Sequence, residues 1–372
     1  MMASKTHYHL HHNVSSHLRW SRTIPPALTV PSGAEITLEL PDGGGNQITR
    51  ENAAAGTALA SFDLSKADPG VGPIFVDGAE PGDVLRVDFL GLTPSVDFGW
   101  TAIFPGFGLL SEDAEFSFSE TKDEKGEVKK HGVLKILDLG VEGREGFVAD
   151  RGYLVFRKGV VGGEGKGREE IRIPYRPFLG LVGVAPAEGE HPMIPPRDTG
   201  GNIDTRWLGV GSSLYLPVKV PGALLSLGDG HAAQGDGEVC GTAVETRMRA
   251  RIKVTLEKGR DKSWVKSPWV LTPGRDGAAA GAKAEAEADR ADRKDEGREF
   301  MCLGVDSDLR EATRKAVRGV IDWLEAEKAL DRIEAYMLVS VAGLLRMCEV
   351  VDMPNYAIGC AVPLDIFVPS EG

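Results

Sequence analysis

From Arg247 to Leu256 the chain alternates without a break: Met248, Ala250, Ile252, Val254 and Leu256 fall on one side, Arg247, Arg249, Arg251, Lys253 and Thr255 on the other. Successive strand side chains point to opposite faces. A period of two therefore gives a ribbon with one dry and one wet face, the pattern of an antiparallel sheet. Ala34–Leu40 repeats it, with Ile36, Leu38 and Leu40 opposite Glu35, Thr37 and Glu39. Val84–Leu90 does so again, with Leu85, Val87 and Phe89 opposite Arg86 and Asp88. Glycine and proline punctuate these runs, and 47 glycines supply the tight turns that many short strands need. The expected fold class is mainly β, α+β overall: a jelly-roll or β-sandwich-like body with a smaller C-terminal α+β unit.

The C-terminal part changes period. After Asp306-Ser307-Asp308, which offers helix caps, Leu309, Ala312, Ala316, Val317, Val320 and Leu324 recur at helical spacing. Asp331-Arg332-Ile333-Glu334 fits a capping box, opening a second helix expected to run through about Met347 and to stop before Pro354. A strand-like AIGCAVPLDIF follows. Three polar stretches interrupt the body. Ser119–Lys130 is expected to be a hairpin tip or exposed loop, and Lys158–Glu170 is Gly-rich and charged. Gly274–Arg298 has no large apolar residue to anchor it, cannot offset its ordering entropy by burial, and reads as a disordered or transiently helical insert. The expected organisation is a β-rich catalytic body over 1–273, a low-complexity insert over 274–298, and an α+β unit over 299–372 packed on the body. Strands on either side of the insert remain free to share one sheet.

With 42% hydrophobic and 26% charged residues the composition is that of a soluble globular chain, and the net charge of -12 argues against a nucleic-acid backbone as partner. Cys240, Cys302, Cys348 and Cys360 show no CxxC pair and read as reduced, buried thiols. The N-terminal stretch lacks the apolar run of a signal peptide, and no segment approaches the ~20 apolar residues of a spanning helix. A cytoplasmic location with no membrane partner is the expectation.

Chemistry concentrates in Gly228–Glu238, GDGHAAQGDGE, which places Asp229, His231, Gln234, Asp236 and Glu238 among four glycines. Carboxylates with a neutral imidazole suit a divalent cation such as zinc. Asp229 and His231, two apart, share a side in extended backbone, and Glu238 is near enough to take a proton from water. Asp198–Asp204, DTGGNID, is a second cluster whose Asp204 would complete a metal site, brought close by a strand over Gly211–Val218. Both clusters are also ordinary turn sequences, and that reading stays open. Five of eight histidines lie in the first seventeen residues. Of these His17, leading through Trp20 into IPPALTV, could reach a pocket or pack on its rim.

The segments HLRWSRTIPPALTVPSG, GPIFVDGAEPGDVLRVDF, PYRPFLGLVGVAP, GGNIDTRWLGVGSSLYLPV, GALLSLGDGHAAQGDGEVCGTAVE and EAYMLVSVAGLLRMCEVVDMPNYAIGCAVPLDIF resemble the acetamidase/formamidase family, fungal-type formamidases above all. The resemblance spans nearly the whole chain outside the polar inserts. It implies hydrolysis of a short amide to carboxylic acid and ammonia, a β-rich fold and a homo-oligomer. On the family's motif positions fall Asn202, Asp204, Asp229, His231, Gln234, Asp236, Glu238 and Glu245, with Arg19 and Trp20 in the N-terminal motif. The expected division of labour puts a divalent cation (zinc, with calcium as the alternative) on Asp204, Asp229 and His231. Glu238 shuttles the proton, Gln234 and Asn202 orient the amide or steady the oxyanion, and His17, Trp20 and Asp236 contact substrate. Phe104, Phe107 and Trp207 are candidates for the pocket wall. The rivals are a nucleophilic Cys240, read as lying in a buried strand, a serine at Gly211-Ser212-Ser213, and a non-catalytic jelly-roll module that uses a metal to bind its ligand.

Overall fold

The computed structural model describes residues 7–113, 116, 120–122, 128–130, 132–157, 170–259, 262–273 and 297–368. The expected disorder of the 274–298 insert falls mostly outside these residues, as does the 158–170 stretch.

The alternating segments form the strands their period demands. Glu35–Leu40, Val84–Pro94 and Met248–Glu257 lie side by side in one nine-stranded sheet. Ile36, Leu38, Leu40, Met248, Ala250, Ile252 and Val254 all point inward and are buried, while Arg249 and Arg251 face solvent. The sheet runs on through Ser213–Pro217, Trp269–Leu271, Glu299–Asp306 and Tyr356–Pro363 to Leu344–Glu349 at its edge. A six-stranded sheet is built on the path Gly200–Asn202, Phe178–Gly183, Leu225–His231, Gly70–Val76 and Ser16–His17, with Leu28–Val30 joined to Gly70–Val76. One apolar core, containing Leu38, Val87, Phe89, Phe178, Leu227 and Ile252, lies between the two sheets. Each such aliphatic or aromatic side chain fully withdrawn from water contributes ~1.5–3 kcal/mol, so the sandwich is held by this layer. Ser119–Lys130 contains a short ribbon, Glu120–Lys122 paired antiparallel with Val128–Lys130, as expected of a hairpin.

At the far end the helix Leu309–Lys328 packs on the sheet beside Glu299–Asp306, its first turn capped by the Asp308 carboxylate on the Glu311 N–H at 2.8 Å. Trp269, Phe300 and Trp323 form an aromatic cluster beneath it, tilted and edge-on contacts joining the rings. The second helix is shorter than its sequence suggests. It opens at Asp331 as expected but ends at Ala342, and Leu344–Glu349 is a strand paired with Tyr356–Pro363. Gly343 allows the change, because a Cβ there would strike the Val339 carbonyl as the chain turns. The strands flanking the insert, Trp269–Leu271 and Glu299–Asp306, are antiparallel neighbours in one sheet. No helix among the described residues is long and apolar enough to cross a membrane.

Candidate metal centre and active site

The strand Phe178–Gly183 assembles the centre. On one side it pairs Leu181 with Asn202, on the other Leu179 with Gly230 and Leu181 with Gly228, so Gly180 falls opposite Asp229. Gly211–Val218, expected to join the clusters, does form a strand, Ser213–Pro217, but it belongs to the other sheet. Gly180 is required at the junction: a Cβ there would fall on Oδ1 of Asp204 and Oδ2 of Asp229.

Around this point Asp204, Asp229 and His231 each offer a ligand atom within 4.8 Å of the others. The same spacing holds for His231, Glu238 and Glu245, and again for Asp204, Glu238 and Asp352. All six side chains are buried. His231 Nε2 lies 2.9 Å from Asp229 Oδ1 and 3.1 Å from Glu245 Oε2, one N–H shared by two acceptors. Glu245 also accepts from the Ala243 N–H at 2.9 Å and the Gly43 N–H at 3.3 Å, which fixes it in place. The ring edge of His231 rests against Phe178 at 4.8 Å.

Five carboxyls and one imidazole in so small a volume are electrostatically frustrated. A like-charge pair at 4.8 Å costs about 3–4 kcal/mol at an effective dielectric of ~20. Burial, reinforced by neighbouring acids, accordingly pushes the carboxyls of Asp204, Glu238 and Asp352 well above the usual range. Burial lifts Glu245 to about 7 against the pull of His231. Burial also opposes ionisation of Asp229, but the His231 charge and hydrogen bond bring it below the ordinary value. Burial disfavours the His231 imidazolium, and Asp229 and Glu245 outweigh it, raising that group.

The donor set fits a divalent cation. Both carboxylate oxygens of Asp204, Oδ1 of Asn202 and Nδ1 of His231 are buried with no protein partner, a state that natural structures rarely leave unexplained. Oxygen with imidazole nitrogen is a zinc-compatible combination. Backbone strain is concentrated here too. Of the eight non-glycine residues with positive φ among the described residues, four are acids at this centre: Asp68, Asp204, Asp229 and Glu238.

Above the acids lies a cavity of about 50 Å³ lined by Asn202, Asp229, His231, Glu238, Glu245 and Asp352, with Asp68, Phe62, Trp100, Phe104 and Phe107 among its walls. It is several times the ~10–15 Å³ that one water needs and far below the ~300–1,000 Å³ of a drug-sized pocket. Only a very small polar molecule fits.

Not every expected residue reaches this cavity. Gln234 lies behind it, its amide N–H₂ donating to the backbone carbonyls of Asp204 at 2.6 Å and Cys348 at 3.3 Å. His17 spans the Ser226 hydroxyl and the Arg19 carbonyl, both at 2.8 Å, and Trp20 packs with Leu181 and Met193. Asp236 is paired with Arg206 at the surface. None of these three side chains, expected to contact substrate, lines the cavity. Trp207 lies between Arg206 and Arg346, whereas Phe104 and Phe107 do line the wall. Cys240 is in a turn, not a buried strand, half-buried with its Sγ 3.4 Å from the Thr242 carbonyl. Ser212 and Ser213 are bonded to the Gly209 carbonyl and Asp88, away from the centre. Asp352 and Asp68 are site residues that local sequence does not mark. Neither lies in a motif-like cluster, and VDMPNYA reads as a turn before a strand.

The sequence and the fold both have counterparts among known proteins. The sequence profile of the Acetamidase/Formamidase family matches residues 4–193 and 187–368. A Schizosaccharomyces pombe protein named as a candidate formamidase is 28% identical over 381 residues, 94% of this chain and 89% of that one. The formamidase of Methylophilus methylotrophus is 32% identical over 276 residues, 68% of this chain and 67% of that one. The acetamidase of Yersinia enterocolitica superposes with a TM-score of 0.73 at 27% identity, covering 99% of this chain and 95% of its own. With its buried acid–histidine centre and a family match along both halves, the chain belongs to the acetamidase/formamidase family of amidases.

Proposed function

We propose that the protein hydrolyses short aliphatic amides, formamide or acetamide in size, to the carboxylic acid and ammonia, with a divalent cation, zinc by its donor set, held by Asp204, Asp229 and His231. The observation that carries this reading is the buried Asp204 carboxylate, unpartnered at both oxygens, within 4.8 Å of Asp229 and His231. When bound, such a cation supplies Lewis acidity, polarising a carbonyl and lowering the pKa of a water towards ~7.

The chain's own residues do the rest. Glu238, on the cavity wall, takes the proton from water and returns it to the departing nitrogen, which an amide needs because its amine is a poor leaving group. Asn202 faces the same space with a free Oδ1, an acceptor suited to the substrate's amide N–H₂. Gln234 acts through Asp204, whose backbone it holds. Phe62, Phe104 and Phe107 close the acyl side and exclude water.

The test is ammonia release from formamide and acetamide by the intact protein, before and after chelation and after zinc is restored. Turnover that falls on chelation, returns with zinc and survives thiol alkylation is expected. Undiminished turnover by metal-free protein would sink the metal role, and binding without turnover would sink hydrolysis.

A further inference from the structure

We propose that Asp68 is a further catalytic residue: its carboxyl accepts an N–H of the substrate's amide nitrogen, so that the site reads the –NH₂ group from two sides. This rests on the amide-hydrolysis reading above and deepens it. Asp68 lines the cavity beside Gly43 and Gly44. It belongs to none of the three triads with ligand spacing, so it stands apart from the cation site. Its carboxyl has no hydrogen-bond partner among the described residues, and the neighbouring Lys66 pairs with Asp63 instead.

The backbone holds this carboxyl in place. Asp68 is left-handed, with φ at 51°, and its N–H donates to the Gly43 carbonyl at 2.7 Å. A Cβ on Gly43 would come within 3.1 Å of Asp68 Oδ1, 2.9 Å of Glu245 Oε2 and 2.5 Å of Asp229 Oδ1, so only glycine lets these oxygens converge. A cavity of about 50 Å³ holds roughly three to five atoms of water size, and a molecule filling it meets the Asp68 carboxyl. A primary amide brings two N–H groups. Asn202 Oδ1 accepts one, and the other, buried without an acceptor, would weaken binding. Glu238 is engaged with the proton of water and Asp229 with the cation, which leaves Asp68 to receive it. Ionised or protonated, a carboxyl keeps an acceptor oxygen. As the C–N bond breaks and Glu238 delivers its proton to the departing nitrogen, positive character grows there. The contact is therefore stronger in the transition state than with bound substrate.

The experiment compares an amide with an ester. Formate release by intact, zinc-loaded protein is measured from formamide and from methyl formate, whose ester oxygen carries no hydrogen. Asp68→Gly removes the carboxyl and suits left-handed backbone, while Asp68→Asn keeps an acceptor oxygen and tolerates it. In Asp68→Gly, kcat/KM for formamide is expected to fall ~10–100-fold and that for methyl formate to change by less than ~3-fold. Asp68→Asn is expected to retain most of the formamide turnover, and both variants to keep the parent's zinc content by elemental analysis. Equal losses on the two substrates, an unchanged formamide value in Asp68→Gly, or zinc lost from that variant overturns the assignment and leaves amide hydrolysis standing. If the unaltered chain leaves methyl formate intact, the gap between Asp68→Gly and Asp68→Asn on formamide decides, and equal values in the two overturn it. Asp68→Ala takes the place of Asp68→Gly if circular dichroism finds that variant unfolded. No formate from formamide with the unaltered, zinc-loaded chain overturns both readings.

Discussion

Left-handed backbone at Asp68, Asp204, Asp229 and Glu238 stores strain of ~1–3 kcal/mol per residue, and the last three carry buried carboxyls that repel one another. The centre is therefore the least self-sufficient part of the molecule, and single atoms decide it. Gly180→Ala would drive a methyl into Asp204 and Asp229 from a strand that otherwise has regular neighbours. It is expected to abolish zinc retention and turnover, and metal content measured beside circular dichroism checks that the sheet survives. Glu238→Gln keeps the size of the side chain and the Asp204, Asp229 and His231 donors but removes the proton acceptor. A fall in kcat of ~10²–10⁴-fold is expected. Full activity with zinc bound would remove Glu238 from that role. Phe104 and Phe107 were legible as wall candidates from their aromatic character, while Asp352 was not, because nothing local distinguishes it from any other turn acid.

At the scale of elements, strand identity followed from period wherever one face is dry and the other wet. Met248–Glu257 has that pattern, and its side chains obey it as far as Val254. Leu344–Glu349 lacks it. Its residues, LLRMCE, follow a helical run and continue its apolar character, so only pairing with Tyr356–Pro363 decides that they extend. The same pairing places Cys348 beside Gln234 and Asp352 beside Asn202. The ends of strands are clipped by charges. Asp83 accepts from Lys258 Nζ at 2.7 Å and from the N–H groups of Glu80 and Gly259 at 3.1 and 3.2 Å, tying Val84 to its partner Glu257. Burial works against the Asp83 charge, but these donors hold its pKa below the usual value. A depressed carboxyl pKa gives stability that is fully present above the unfolded value, ~3.9, and is lost as pH falls through the folded one. The melting-temperature gap between the parent and Asp83→Asn should be widest near neutral pH and narrow below about pH 4. A gap constant with pH would show that the clip acts by shape alone.

Across the whole molecule, the two sheets enclose one core, and the acids of the centre come from segments far apart in the chain. Asp204 to Glu245 is one contribution, Asp352 another, and Asp68 on the cavity wall a third. The insert between Trp269–Leu271 and Glu299–Asp306 connects adjacent antiparallel strands: Leu271 pairs with Phe300, and the Thr272 hydroxyl accepts the Glu299 N–H at 2.8 Å. Its ends are thus already together. Replacing residues 274–296 with a short Gly/Ser turn is expected to change stability by less than ~1 kcal/mol and to leave amide turnover unaltered. Denaturant unfolding and an ammonia assay would measure both, and a large loss of either would give the insert a role in fold or catalysis.

The residues alone determined the β-rich character, the helix Leu309–Lys328 and its cap, and the concentration of ligand-capable groups in Gly228–Glu238. Each of those follows from local period, capping chemistry or donor density within a few residues. Tertiary structure decided which acids meet. Phe178–Gly183 inserts between the two clusters, and its Gly180 lets Asp204 and Asp229 approach. The C-terminal turn brings Asp352 across 150 residues to Asn202. His17, Trp20 and Asp236 fit the motif yet lie elsewhere, because hydrogen bonds, packing and a surface ion pair claim them first. A ligand set is a statement about distances in space, and sequence spacing fixes those only within a single strand or turn.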